Sequence, residues 1–514
     1  MQLNTKNTDE LFHQALTAHQ NGDLMTAGQL YERIISLNIN HFDALHLIGV
    51  VYFQLQNPAK SVQFIKQAIK LNPNINVVYN NLGLALQALG QFQESIQAFT
   101  KSIQLERNNP ESFFNLGNSF ASSENLFEAL KSYDEAIRQN PTYAQAFNNR
   151  GNIKQELNLL EEALVDYELA IKFFPYYDEA RTNRGNILQE LALFEDALSS
   201  YNSAICINPD NAEAYWNKAL LLLLLGDYNN GLKLYEWRWK RENSTTALRS
   251  FNAPLWLGEQ NLQGKTILIH AEQGLGDSIQ FCRYIKLVAE LGATVILEDQ
   301  KPLKGLLQKL EGVSEFVVCG DPLPHFDYHC PMLSLPLAFK STLDNVPDPS
   351  PYLFAEHNKV AVWSKILGPK NKPRIGICWS SVLAFRYDRK RSLRLSEFVR
   401  SLPVGNFEFI CLQKEIKAED LATLRSRPDI VFLGKRINDF TDTAALIELC
   451  DSVISSCTSV PHLSAAMNKK THLLLSFVPD WRWGLHTAHS PFYKSVTLHR
   501  QKILNTWQLS PIQC

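Results

Sequence analysis

A chain of 514 residues with 45% hydrophobic and 20% charged side chains holds about three domains at ~100–200 residues each and can bury ordinary cores. Its formal net charge of −2 provides no basic footprint, so a nucleic-acid partner is not expected. The opening MQLNTKNTDELFHQ has no basic stretch followed by an apolar core, and the longest aliphatic run, Leu220 to Leu225, is far short of the ~20 residues that span a bilayer. A soluble, cytoplasmic chain without a transmembrane segment is the expectation.

The first 245 residues repeat themselves. Gly49, Gly83, Gly117, Gly151 and Gly185 stand 34 residues apart, as do Ala27, Ser61, Ser95, Ala129, Ala163, Ala197 and Gly231. The series Tyr31, Ile65, Phe99, Tyr133, Tyr167, Tyr201 and Tyr235 keeps the same period, and Pro73, Pro141, Pro175 and Pro209 close units in that register. Small residues let paired helices approach, the aromatic fills the gap between repeats, and proline stops the second helix. That is the tetratricopeptide pattern. Seven units, near 8–41, 42–75, 76–109, 110–143, 144–177, 178–211 and 212–245, predict an all-α superhelix over 1–245 whose concave face takes an extended segment of another protein. Self-association through the repeats stays open.

A ladder of amides runs through it: Asn81, Asn115, Asn149, Asn183 and Asn217, with Asn118, Asn152 and Asn186 three positions on from three of them. Residues three apart share a helix face. An amide donates and accepts, so the stripe suits a peptide backbone; equally, it suits bracing between neighbouring repeats. The following joint, with a linker over 246–263, concentrates Trp237, Trp239 and Trp256, which at a domain boundary read as packing between domains.

From Lys265 the pattern changes. Thr266 to His270 reads as a strand, Gly274 and Gly276 as a turn, Ile279 to Leu291 as a helix and Thr294 to Leu297 as a second strand, a βαβ unit. Asp277 thus sits beside a helix N-terminus at the carboxyl end of a parallel strand, where open α/β sheets carry their chemistry. Further strands are predicted at Glu315 to Val318, Tyr328 to Cys330 and Tyr352 to Phe354, giving a first Rossmann-like domain over 264–357. An interdomain joint over 358–372 leads to a second over 373–514. Its strands are predicted at Ile375 to Trp379, Phe407 to Leu412, Ile430 to Leu433, Val453 to Ser455 and Leu473 to Phe477, and its helices at Leu395 to Leu402, Glu419 to Arg425, Thr443 to Leu449 and Val460 to Met467. The nine cysteines include no CxxC pair, and Cys319, Cys378, Cys411 and Cys457 lie in or beside strand-like runs as small hydrophobes would. Cys319, His325, His329 and Cys330 match no zinc spacing, so neither a metal nor a cofactor is expected.

Three stretches of the second domain suit an anion. Ser380 and Ser381 lie behind its first strand with Arg386, Arg389, Lys390, Arg391 and Arg394, a cationic run at a strand end that reads as anion binding or as a solvated loop. In SSCTSVPHLSAAM, hydroxyl residues turn into a helix with Pro461 in its first turn, leaving the N–H groups near Thr458, Ser459 and Val460 to meet an anion; His462 caps the same phosphate or packs in the helix. Gln413, after another strand, could edge a base or ribose.

Taken together, HAEQGLGDSIQF, GICWSS, DFTDTAALIELCDSVISSCTSVPHLSAAM and SFVPDWRWGL resemble bacterial fusions of tetratricopeptide repeats to a glycosyltransferase related to the lipopolysaccharide heptosyltransferases. The resemblance spans essentially the whole chain. It implies a GT-B fold (two Rossmann-like domains), metal-independent transfer with inversion from a nucleotide sugar, and a protein acceptor such as flagellin held by the repeats. It implies Asp277 as the general base, which chemistry supports because an attacking hydroxyl must lose a proton. The leaving nucleoside diphosphate would meet the Thr458 to Val460 turn and the Arg389 to Arg391 run. Where the family has Asp-Thr before the helix, this chain has Cys457-Thr458, which bears on donor choice and on activity. Two other readings follow: a repeat scaffold whose transferase half only binds, and a transferase acting on a polysaccharide.

Overall fold

A computed structural model describes residues 2–241, 249–347, 350–381 and 391–513, with side chains from Thr8 onward. Two compact units divide it, Met1–Leu188 with Cys206–Asn208, and Gln189–Ile205 with Pro209–Cys514. The division falls inside the sixth helix pair, so the seventh pair lies in the same unit as the sheets.

Seven helix pairs follow one another before residue 236. The first helices of pairs two to seven start at Phe42, Asn76, Pro110, Ala144, Asp178 and Ala212, and the second helices of all seven at Leu24, Pro58, Phe92, Leu126, Leu160, Phe194 and Tyr228. The 34-residue period is therefore a period of helix starts. Its physical basis is direct contact: a Cβ on Gly83 would lie 2.6 Å from the Phe99 ring, and one on Gly117 2.6 Å from the Tyr133 ring. Glycine lets the aromatic of the second helix lie flat against the first. Every member of the Tyr31 to Tyr235 series is buried. At ~1.5–3 kcal/mol per buried large side chain, this series is a major part of each repeat's core.

In the second unit, two wholly parallel sheets follow the seventh pair. The first holds β1 (Thr266–His270), β2 (Thr294–Asp299), β3 (Val313–Val318) and β4 (Tyr328–Pro331) in the order β3-β2-β1-β4. The second holds β5 (Arg374–Cys378), β6 (Glu408–Cys411), β7 (Ile430–Phe432), β8 (Ser452–Ser456), β9 (Thr471–Leu475) and β10 (Val496–Arg500) in the order β10-β9-β8-β5-β6-β7. Counted from its own first strand, the second sheet runs 3-2-1-4-5-6, the order of doubly wound dinucleotide-binding sheets. In each sheet the order reverses beside the first strand, and the crevice at that point opens beyond the carboxyl ends of β1 and β4 or of β5 and β8.

Three elements depart from the sequence expectation. Tyr352 to Phe354 is no strand: the Tyr352 and Leu353 N–H groups both donate to the Ala466 carbonyl, at 3.0 and 3.3 Å. The expected joint over 358–372 is largely the helix His357–Leu367, pinned to the helix Phe440–Glu448 by Trp363 Nε1 at 3.0 Å and Lys359 Nζ at 2.7 Å from Asp442 Oδ1. Trp363 is its one buried residue, too little to leave a periodic signature. β10 is the third addition, five residues paired in parallel with β9.

Candidate functional site

Asp277 lies in the first turn of the helix Leu275–Phe281, directly after β1. Its Oδ2 accepts from the Gly274 N–H at 3.0 Å, and its Oδ1 from Arg482 at 2.6 Å. Burial pushes the Asp277 carboxyl above the ordinary carboxylate range against the pull of Arg482, and Asp480 pushes it the same way as burial. Arg482 belongs to the other sheet's half, seven residues past the end of β9. Its other terminal nitrogen holds both Asp480 oxygens, at 3.0 and 3.2 Å.

The turn after β8 meets the turn after β1. Thr458 caps the helix Ser459–Ala466, its hydroxyl accepting from the Val460 N–H at 3.3 Å. A Cβ on Gly276 would sit 3.3 Å from both Ser459 Cα and the His462 ring, so this glycine is what lets the two turns touch. His462 is packed rather than free: Nδ1 is 3.2 Å from the Tyr493 hydroxyl and the ring stacks on Trp483 at 5.0 Å. Burial drives it down to about 3, which keeps it neutral. Cys457 accepts from the Trp483 indole N–H at 3.2 Å, and burial pushes its thiol up to about 11.

Beyond β5, Gln413 Oε1 accepts from the Trp379 and Ser380 N–H groups at 2.7 and 3.2 Å, and its Nε2 donates to the Ser380 hydroxyl at 3.2 Å. Gln413 and Ser380 are both buried; they shape the end of β5 by holding each other. The Ser381 N–H donates to the Ser392 hydroxyl at 3.2 Å. Arg386, Arg389 and Lys390 lie outside the described residues. Arg391 is described, and its positive charge works against burial at Asp277 and Cys457.

Sequence reasoning passed over the residues that hold this crevice together. In SFVPDWRWGL the Asp480, Trp481, Arg482, Trp483 run carries a signal of its own, the clustering of two indoles with opposite charges behind a strand. The second omission is Arg238, from the turn closing the seventh helix pair. It grips Glu272 with two nitrogens, at 2.6 and 2.9 Å, and donates to Ser334 Oγ at 2.7 Å and Glu236 at 2.6 Å. Glu272 also accepts the Leu333 N–H at 3.1 Å. Tyr235 and Tyr228 meanwhile pack edge-on against Trp481, at 6.3 and 5.9 Å. The end of the repeats thus braces both neighbours of the Asp277–Arg482 pair. His270 is likewise engaged, 3.3 Å from His329. Of the joint's tryptophans, Trp237 stacks on Tyr215 at 3.8 Å and Trp256 packs edge-on against Phe339 at 5.8 Å.

In the amide ladder, the nitrogens of Asn81, Asn115, Asn149 and Asn183 each reach a neighbouring repeat. Asn81 Nδ2 lies 2.9 Å from His46 Nε2; Asn115 donates to Asn80 at 3.4 Å, Asn149 to Asn118 at 2.9 Å, and Asn183 to Asn148 and Asn152 at 3.1 and 3.2 Å. The bracing role is thereby visible in the first unit. Asn217, in the second, is half-buried.

Comparison with known proteins bears on the repeats. Tetratricopeptide-repeat family models match residues 42–75, 77–109, 117–158, 144–177 and 194–226. Protein FlbA of Caulobacter vibrioides is 24% identical over 314 residues, 56% of this chain and 51% of that protein, so the chain spans about half the length of the curated relative it matches. Among solved structures, YrrB, described as a TPR protein with an unusual peptide-binding site, is 21% identical at a TM-score of 0.32, covering 37% of this chain and 98% of its own. A repeat protein of Parabacteroides merdae is 12% identical at a TM-score of 0.40, covering 45% of this chain and 91% of its own. Among the described residues no helix is long and apolar enough to cross a membrane. Between residues 42 and 226 the chain is a run of tetratricopeptide repeats, followed by parallel α/β sheets.

Proposed function

We propose that the chain is a nucleotide-sugar-dependent glycosyltransferase of GT-B type, which transfers a sugar with inversion and without a metal to a protein segment bound by the repeats. The observation that carries this reading is the direct contact between the two switch-point turns, Gly276 against Ser459 and His462. It brings a carboxylate that can take a proton, Asp277, to the N-terminus of an eight-residue helix whose positive end suits a leaving diphosphate. Arg391 adds positive charge. The residues then divide the work: the Thr458 turn and Arg391 hold the diphosphate, Asp277 receives the acceptor hydroxyl's proton, and Gln413 with Ser380 shapes the floor. Tetratricopeptide grooves hold extended segments, which supplies a protein acceptor.

One observation favours the binding-scaffold reading instead. Cys457, where the resembling family has aspartate, faces an indole N–H and carries no charge. Isothermal titration of the full chain with nucleoside diphosphates and nucleotide sugars separates the readings: tight binding of one nucleotide with turnover supports the enzyme, binding without turnover supports the scaffold, and no binding of any nucleotide rejects both.

A further inference from the structure

A second carboxylate, Asp480, is held by the same guanidinium as Asp277. Asp480 stands on the loop that follows β9, one strand from the switch point of the second sheet. Ligands of doubly wound sheets lie beyond such strand ends. Its orientation is fixed: Oδ1 accepts the Arg482 backbone N–H at 3.0 Å, and the Arg482 guanidinium reaches both oxygens. Its side chain is nonetheless 41% exposed, against 9% for Arg482 and 21% for Asp277. One guanidinium joins it to Asp277, and Trp483, three residues on, donates to Cys457 and stacks on His462, so the carboxylate stands beside the residues of the site.

A carboxylate offers about four acceptor lone pairs, and the contacts to Arg482 leave part of Oδ2 open. Arg482 holds the group ionised, below the usual carboxylate range, against the partial loss of water around it. An anion so placed repels a diphosphate, which therefore belongs on the Thr458 and Arg391 side. What it attracts is a donor of hydrogen bonds next to that diphosphate. In a nucleotide sugar the groups there are ring hydroxyls.

We propose that Asp480 reads the sugar of the donor, its carboxylate accepting hydrogen bonds from hydroxyls of the transferred ring, which makes it a specificity-determining residue. This rests on the nucleotide-sugar reading above. Arg482 gives the carboxylate its fixed direction, and Asp277, on the other side of the same guanidinium, remains free for the proton of the acceptor.

The test uses the full chain and isothermal titration with the nucleotide sugar that wild type binds best and with its nucleoside diphosphate alone. Asp480→Asn keeps an acceptor for the Arg482 N–H but removes the charge; Asp480→Ser keeps a shorter cap and serves as the second variant. Unliganded melting curves confirm folding. Both variants should bind the nucleotide sugar roughly ten- to hundredfold more weakly, the scale of a lost charge-assisted hydrogen bond, and the nucleoside diphosphate within about twofold of wild type. Equal weakening of both ligands, or of neither, overturns the assignment, as does a wild type that binds the diphosphate with no preference for any attached sugar. Failure of wild type to bind nucleoside diphosphate is a different result and rejects the nucleotide-sugar reading itself.

Discussion

Arg482 donates to Asp277 at 2.6 Å across the two sheets of the second unit while holding Asp480 on its own side. One cation therefore sets the charge of two carboxylates. Removing it as Arg482→Gln takes away the interaction that opposes burial, so the Asp277 carboxyl rises further. A general base must be ionised to act. The acid limb of the pH profile for turnover should therefore move to higher pH, and kcat at neutral pH should fall. A limb that stays in place in this variant removes Asp277 from the role of base.

The Arg238–Glu272 pair is buried on both sides, at 4% and 1% side-chain exposure. Arg238→Met leaves the Glu272 carboxylate in the interior without its guanidinium, which costs ~3–5 kcal/mol. Replacing both residues with methionine should restore much of that loss, since an apolar pair of similar volume fills the site without a stranded charge. Denaturant titration of the two variants measures the difference. Equal loss in both would mean that packing, not charge, dominates here.

Asn115, Asn149 and Asn183 give a third expectation. Each joins adjacent repeats by a hydrogen bond of ~0.5–1.5 kcal/mol net, so the triple change to Ala should lower stability by roughly 1.5–4.5 kcal/mol in urea titration. An unchanged midpoint would return these amides to the groove as ligands for an acceptor backbone.

Asp299, at the end of β2, supplies a pH dependence. Burial pushes its carboxyl up to about 6 against hydrogen bonds from the Gln300 N–H and the Ser278 hydroxyl. A raised folded pKa contributes stability that is complete below the unfolded value and is lost as pH rises through about 6. Wild type should therefore lose stability relative to Asp299→Asn between about pH 4 and pH 6, on the order of 1–3 kcal/mol, with no further divergence above that. Parallel stability curves for the two proteins across this window would contradict the assignment.

The repeats were legible in the sequence because each periodic residue does one local job. Gly83 and Phe99 meet only because they recur in register, and that register is visible without coordinates. Most strands of the second unit were legible for a similar reason, as short β-branched or aromatic runs. His357–Leu367 was not, because a helix held by Trp363 and a single aspartate shows no apolar stripe. The site was half legible. Asp277 and the Thr458 turn follow from local grammar, a glycine turn before a helix and a hydroxyl before another. Arg482 lies 205 residues from Asp277, and no local pattern announces such a pair. The same holds for Gln413 and Ser380, whose mutual hydrogen bonds at the end of β5 no local pattern announces.

The central claim is transfer from a nucleotide sugar with Asp277 as base, and its most direct test is release of nucleoside diphosphate from nucleotide sugars by wild type and Asp277→Asn. One nucleotide sugar should be turned over by wild type and ~10²–10⁴-fold more slowly by the variant, with both proteins binding it about equally. Equal turnover in the two proteins, or binding with no turnover by wild type across the panel even with acceptor protein present, would contradict the account.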